Sequence, residues 1–206
     1  MISKLKRRAV SATEGIVIAA IVALLYAGSY DNPFHYDDIH SIAENPSIRS
    51  LAALPQLFVD PFTFSRDQDV GMYRPLLVLS YAVNHALGGA DPFGYHLCNV
   101  LLHIVVVLLV HRLACRLTGN AAVALWVAVL FAVHPLNSQA VYYVSSRSGV
   151  LAAVFVTAAF HATYLSQRRV LGSTLFVLGL LCKSSALALL PIGLFYSPRR
   201  LHLHIG

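Results

Sequence analysis

YHLCNVLLHIVVVLLVHRLACRL, residues 95–117, is the stretch on which the fold turns. Coiled as a helix at ~1.5 Å per residue it reaches roughly 35 Å, more than the ~30 Å hydrocarbon core of a bilayer. Its only charges, Arg112 and Arg116, fall in the last turns. Working outward, comparable apolar runs occupy 9–29, 121–136, 149–165 and 170–197. The first follows a short basic segment (Lys4, Lys6, Arg7, Arg8). It exceeds the apolar region of a signal peptide, and no small-residue cleavage site follows it cleanly, so it reads as an uncleaved first span. Glu14 stands near its start, where a carboxylate suits a helix N-terminus. The chain is 57% hydrophobic and 12% charged, about half the ~25% charged residues of soluble domains. Lipid is therefore the expected solvent for most of its surface.

Charge placement predicts orientation. Ten of the fifteen basic residues form five pairs: Lys4/Lys6, Arg7/Arg8, Arg112/Arg116, Arg168/Arg169 and Arg199/Arg200. All face the cytoplasm if the N-terminus is inside and the spans alternate. Eight of the nine acidic residues lie between Asp31 and Asp91, in the first loop on the opposite side. The basic residues sit between apolar runs with no aromatic-studded patch, so no nucleic-acid partner is expected.

The last run has two readings. Residues 170–182 and 184–197 are each about 20 Å long as helices, short for the core. They form a helical pair with Lys183 at the outer turn, or one tilted helix with Lys183 buried. An unpaired lysine at mid-bilayer costs about 3 kcal/mol, which favours the pair. The expectation is thus one all-α membrane domain over 1–206. Its spans lie near 9–29, 95–117, 121–136, 149–165, 170–182 and 184–197, and its outer loop, 30–94, is periplasmic or lumenal.

That loop is too long for a connector. It opens with Asn32-Pro33-Phe34-His35-Tyr36-Asp37-Asp38-Ile39, placing two adjacent carboxylates just after the first span. Asn45-Pro46 marks a turn, Ser50–Phe58 reads as a short amphipathic helix, and Tyr73-Arg74-Pro75-Leu76 opens a second helix ended by Gly88-Gly89. This second helix is taken as interfacial, because a span there would put the later basic clusters outside.

These residues, in order, resemble a known family. Phe34-His35-Tyr36-Asp37-Asp38, Asn45, Tyr73-Arg74-Pro75-Leu76, Asn84, Tyr95-His96, Asn99 and His103 are similar to the membrane half of the transmembrane and tetratricopeptide-repeat O-mannosyltransferases. Phe131-Ala132-Val133-His134-Pro135-Leu136, Ala140-Val141, Ser146-Arg147, Leu151-Ala152, Lys183 and Leu190-Pro191 continue the pattern. The resemblance implies a polytopic helix bundle of the class C glycosyltransferase type, working at the outer membrane face. There a sugar, mannose by family, passes from a polyprenyl phosphate to a Ser or Thr hydroxyl of a secreted or membrane protein. Membrane lipid, this lipid-linked donor and the acceptor protein are the implied partners. The donor is a substrate, and no cofactor or divalent metal is expected.

The chemistry assigns roles. An attacking hydroxyl must lose a proton, so a carboxylate base is needed. Asp37 and Asp38 are the candidates, with Asp38 slightly favoured as nearer the next helix. A departing lipid phosphate calls for cations, and Arg74, Arg147 and Lys183 are the candidates. His96 and His134 are possible supports.

Plainer readings stand beside these. An Asp-Asp pair can be a helix cap, Arg74 and Arg147 can anchor helices at headgroups, and a histidine before Pro135 can simply end a helix. His96 and His103 share a helix face but lack a third metal ligand. Asp67-Gln68-Asp69 has the DxD pattern without a nucleotide-binding fold. Cys98, Cys115 and Cys182 lie in apolar runs as packing residues, with no disulfide framework.

Two positions depart from the family pattern: Gln139 and Ser184 stand where it usually has acidic residues. The sequence also carries no tetratricopeptide repeats, which a partner subunit would have to supply. The alternative function is therefore a truncated or non-catalytic relative, acting as a membrane scaffold or lipid-binding subunit.

Overall fold

Ser11 starts the first helix, α1 (Ala12–Leu25), by a reciprocal cap. Its hydroxyl accepts from the Glu14 amide (3.1 Å), and its own amide donates to the Glu14 carboxylate (3.0 Å). This computed structural model describes residues 11–67 and 69–195. The Lys4–Arg8 cluster, Gln68 and the Arg199/Arg200 pair lie outside the described residues. The other helices are α2 (Pro75–Gly88), α3 (Pro92–Thr118), α4 (Ala121–Ala132), α5 (Leu136–Tyr142), α6 (Arg147–Phe160), α7 (Arg169–Cys182) and α8 (Leu189–Phe195). There is no strand among the described residues.

Local chemistry sets the boundaries. Asp91 caps α3 from the Phe93 amide (3.0 Å), with Pro92 in the first turn, where its missing N–H is harmless. Gly119, at φ 67°, ends α3 in a left-handed conformation that glycine adopts freely. Asn120 then caps α4 through the amides of Ala122 and Val123. Pro135 falls at the break between α4 and α5, whose axes differ by 63°.

In parts of α3 and α4 burial runs opposite to that of a soluble protein. α3 turns His96, Asn99, His103 and His111 inward while Leu101, Val105 and Leu117 face out. α4 buries an alanine stripe, Ala124, Ala128 and Ala132, and leaves Trp126 68% and Leu130 62% exposed. Small or polar inside and large apolar outside is the pattern of helices solvated by lipid. α3 and the continuous segment Val144–Leu165 are long and apolar enough to cross a membrane, and bent α4–α5 makes a third if counted as one span. α1 and α7 are shorter apolar helices. The chain is an all-α membrane bundle.

α3 is central, touched by α1, α4 and α6, with α7 against α6. The ring pairs Tyr26–His103 (5.3 Å) and Tyr30–Phe93 (5.6 Å) run α1 antiparallel to α3. One end of the bundle therefore gathers residues 29–38, 93–96, 142–147 and Lys183. The other gathers Ser11, Arg112, Arg116 and Arg168. Over the first end lies a cap of short 3-10 and π turns. Its Ile42, Ile48, Leu57 and Phe64 pack on Leu77, Val78 and Tyr81 of α2.

α7 approaches the turn that follows α6, residues His161–Leu165, closely at Gly172. A Cβ there would collide with the Thr163 hydroxyl and lie 3.1 Å from the Thr163 backbone nitrogen. Gly172→Ala is expected to destabilise the bundle by about 1–3 kcal/mol through overpacking. Adding Thr163→Ala should recover part of that loss in the heat-unfolding midpoint of detergent-purified protein. Additive losses would show that the two positions do not meet.

Candidate active site

The two adjacent carboxylates have opposite environments. Asp38 is 1% exposed. Its Oδ1 accepts from the Ser145 backbone N–H (2.7 Å) and from the Ser145 hydroxyl, and its Oδ2 from the His35 amide (3.3 Å). Asp37 has a side chain 64% exposed, with His40 Nε2 3.7 Å from its Oδ1. The other ring nitrogen of His40 is hydrogen-bonded to Ser65 Oγ (2.9 Å), which orients the imidazole. Tyr36, just before the pair, has φ 47°, a left-handed conformation that costs a non-glycine residue energy. Buried Asp38 thus anchors the loop to the start of α6, while Asp37 is displayed.

Further contacts fix this loop. The Asp37 amide donates to the Tyr143 hydroxyl (2.9 Å). Burial raises the Tyr143 phenol above its ordinary range; the amide bond from Asp37 opposes this, and the Asp37 and Asp38 carboxylates reinforce it. Tyr143 therefore stays protonated. Asn45 Nδ2 lies 3.1 Å from the carbonyls of Ser41, Thr63 and Phe64, tying the turn to the cap. A recess of ≈ 490 Å³ opens beside the loop, lined by Asn32, His35, Tyr36, Gln139, Tyr142 and Tyr143.

The three candidate cations are placed differently. Arg147 is 0% exposed. Its Nε donates to Asn99 Oδ1 (2.7 Å), and its terminal nitrogens donate to Asn84 Oδ1 (2.8 Å), the Tyr95 carbonyl (2.9 Å) and the Ser80 carbonyl and hydroxyl (3.3 Å each). The Tyr81 and Tyr95 rings lie 4.9 and 5.5 Å from the guanidinium. It is enclosed by protein rather than turned to the headgroups. Arg74 is half-buried over the Phe64 ring (5.6 Å). Lys183 stands in the break between α7 and the turn that leads to α8, its Nζ 3.9 Å from where a Gly149 Cβ would sit. It has no ion-pair or hydrogen-bond partner for its side chain among the described residues, and Gly149 is one turn beyond Ser145.

Buried His96 is hydrogen-bonded through Nε2 to the Asn32 carbonyl (3.1 Å), holding the loop after α1 against α3. His134 is exposed, and its Nδ1 accepts the Leu136 amide (3.3 Å) at the α4–α5 break. Asp67 pairs with Arg66 (3.0 Å), which also pairs with Glu44. Among the described residues, no three His, Cys, Asp or Glu side chains are grouped to hold a metal. Ser145 and Tyr143 are the site residues that sequence reasoning missed. Ser145 adjoins the Ser146-Arg147 motif, the one signal that pointed near it.

No family model matches the chain, and no solved structure matches it. Curated sequences do. It is 35% identical to protein O-mannosyl-transferase TMTC3 of Mus musculus over 150 residues, 71% of this chain and 16% of that protein. It is 34% identical to protein O-mannosyl-transferase Tmtc1 of Drosophila melanogaster over 190 residues, 85% of this chain and 22% of that protein. With TMTC1 of Homo sapiens it shares 34% over 149 residues, 70% of this chain and 17% of that protein. The chain thus spans about a fifth of the length of these relatives. Within that shared membrane region, the chain belongs to the transmembrane and tetratricopeptide-repeat protein O-mannosyltransferase family.

Proposed function

We propose that this chain provides the donor-side catalytic face of a membrane glycosyltransferase, moving mannose from a polyprenyl phosphate to a protein Ser or Thr hydroxyl on the non-cytoplasmic side. The observation that carries this reading is the exposed Asp37 carboxylate, held beside the bundle by the buried Asp38–Ser145 contact. It lies at the end of the bundle opposite Arg112, Arg116 and Arg168, which the positive-inside rule puts in the cytoplasm.

In this mechanism Asp37 takes the acceptor hydroxyl's proton as its oxygen bonds to the anomeric carbon. The bond from that carbon to the phosphate oxygen breaks, and the polyprenyl phosphate leaves with the electron pair. Lys183 and Arg74 balance its charge, while Arg147 holds the surrounding helices. The acceptor is a secreted or membrane protein.

Incubation with radiolabelled polyprenyl-phosphate mannose and a Ser/Thr-rich peptide tests this, with expected transfer of label to the peptide. Lys183→Gln should raise the donor KM about tenfold, the strength of one charge-assisted contact, and leave the acceptor KM unchanged. An unchanged donor KM would remove Lys183 from the donor site. A second reading, a non-catalytic lipid-binding relative, is favoured by Gln139, which lines the recess where the family usually has an acid. Donor binding with no transfer, even with the repeat-bearing portion added, would select it.

A further inference from the structure

At the end of the bundle opposite Asp38, α3, α6 and α7 enclose a recess of ≈ 540 Å³. Arg112 and Arg116 enter it from the last turns of α3, and Arg168 from the turn before α7. His161 shares the lining, its Nε2 on the Leu109 carbonyl (3.0 Å), and Leu171 and Leu175 form an apolar wall. The backbone is shaped to bring Arg168 there. α6 ends in a wide π turn, His161–Leu165, closed by the Ser166 amide on the His161 carbonyl (2.9 Å). Gln167 then adopts φ 56°, and the Arg168 amide returns to the Ala162 carbonyl (2.8 Å). Widened turns and left-handed non-glycine residues are costly, and they collect at binding sites.

The charge there is uncompensated among the described residues. Among the described residues, none of the three guanidinium groups has an ion-pair or side-chain hydrogen-bond partner. Glu14, the one carboxylate side chain at this end among the described residues, is engaged in the α1 cap. Three converging cations repel one another until an anion enters. Arginines present flat, forked donors that suit phosphate oxygens. The wall beside them is leucine, and Leu171 and Val170 of α7 are open to lipid, Val170 at 83% exposure. A soluble phosphate would use the cations alone, whereas a phospholipid uses the cations and the leucine wall together.

We propose that this recess binds the phosphate headgroup of an anionic phospholipid, with an acyl chain lying along Leu171 and Leu175. The site is separate from the proposed transferase centre and stands whether or not the chain transfers mannose. The full chain would be placed in phosphatidylcholine nanodiscs with increasing phosphatidic acid, or in the same discs with soluble glycerol phosphate. Bound lipid would be counted by native mass spectrometry, and the heat-unfolding midpoint followed.

The expected result is saturable stabilisation by phosphatidic acid and none by glycerol phosphate. Arg112→Gln with Arg168→Gln should weaken lipid binding about tenfold or more, given about 1 kcal/mol per cation near a membrane surface. Leu171→Trp keeps every charge but fills the recess, and should weaken binding as well. Arg169→Gln, a neighbouring cation that does not line the recess, should not. Equal binding by all variants, equal loss with Arg169→Gln, or equal stabilisation by glycerol phosphate would each overturn the proposal.

Discussion

Asp37→Asn should lower mannosyl transfer by about 10²–10⁴-fold, the usual contribution of a positioned base, and leave the fold intact. The side chain is 64% exposed, and His40 Nε2 lies 3.7 Å from its Oδ1. Surface substitutions of this kind usually shift stability by no more than about 0.5 kcal/mol. Asp38→Asn should behave differently. Asp38 already accepts from the Ser145 amide, the Ser145 hydroxyl and the His35 amide, with no exposed edge for an acceptor hydroxyl. Asparagine offers one accepting oxygen in place of two, so a buried N–H loses its partner at about 1–3 kcal/mol. Transfer should then fall together with the unfolding midpoint. Single-turnover transfer and heat unfolding, measured on the same preparations, separate the two roles. Full activity in Asp37→Asn, with a silent but stable Asp38→Asn, would reverse the assignment.

Much of the architecture was legible because lipid imposes a coarse, additive signal. Residues 95–117 read as a membrane helix, and the structure extends it only to Pro92–Thr118, where Asp91 caps one end and Gly119 closes the other. The helix after Tyr73 and its Gly88-Gly89 stop were visible for the same reason: proline, glycine and periodicity act locally. The contrast in burial between Asp37 and Asp38 was not visible. Position alone slightly favours Asp38 as base, because it is nearer the next helix, and burial is not written in two adjacent identical residues. What separates them is the left-handed Tyr36 and a serine 107 positions away. The sequence offers Arg147 as a cation for the donor phosphate, with anchoring at the headgroups as the plainer alternative. Its enclosure depends on Ser80, Asn84, Tyr95 and Asn99, drawn from two other helices. Polar residues inside apolar helices demand a buried partner, and Asn84 and Asn99 were the sign that an internal cation was near.

Arg147→Met is expected to cost about 3–5 kcal/mol, the range for removing one member of a buried charged network. Arg147 opens α6, where the helix dipole disfavours a cation. The guanidinium stays there because oxygens of Asn99, Asn84, Tyr95 and Ser80 and two aromatic faces replace its hydration. Methionine fills similar volume but leaves those oxygens buried without donors, and α2, α3 and α6 lose their common tie. Arg147→Lys retains the charge but has one nitrogen, which cannot reach oxygens arranged around a planar fork. It should recover less than half of the lost stability. The unfolding midpoint in detergent gives the cost, and the donor KM distinguishes the roles. A structural tie predicts that any Arg147→Lys protein that remains folded binds donor with near-normal KM but turns over slowly, because Ser145 no longer holds Asp38 in register. A phosphate ligand predicts the reverse, with normal stability in Arg147→Met and a donor KM raised tenfold or more by loss of one charge-assisted contact.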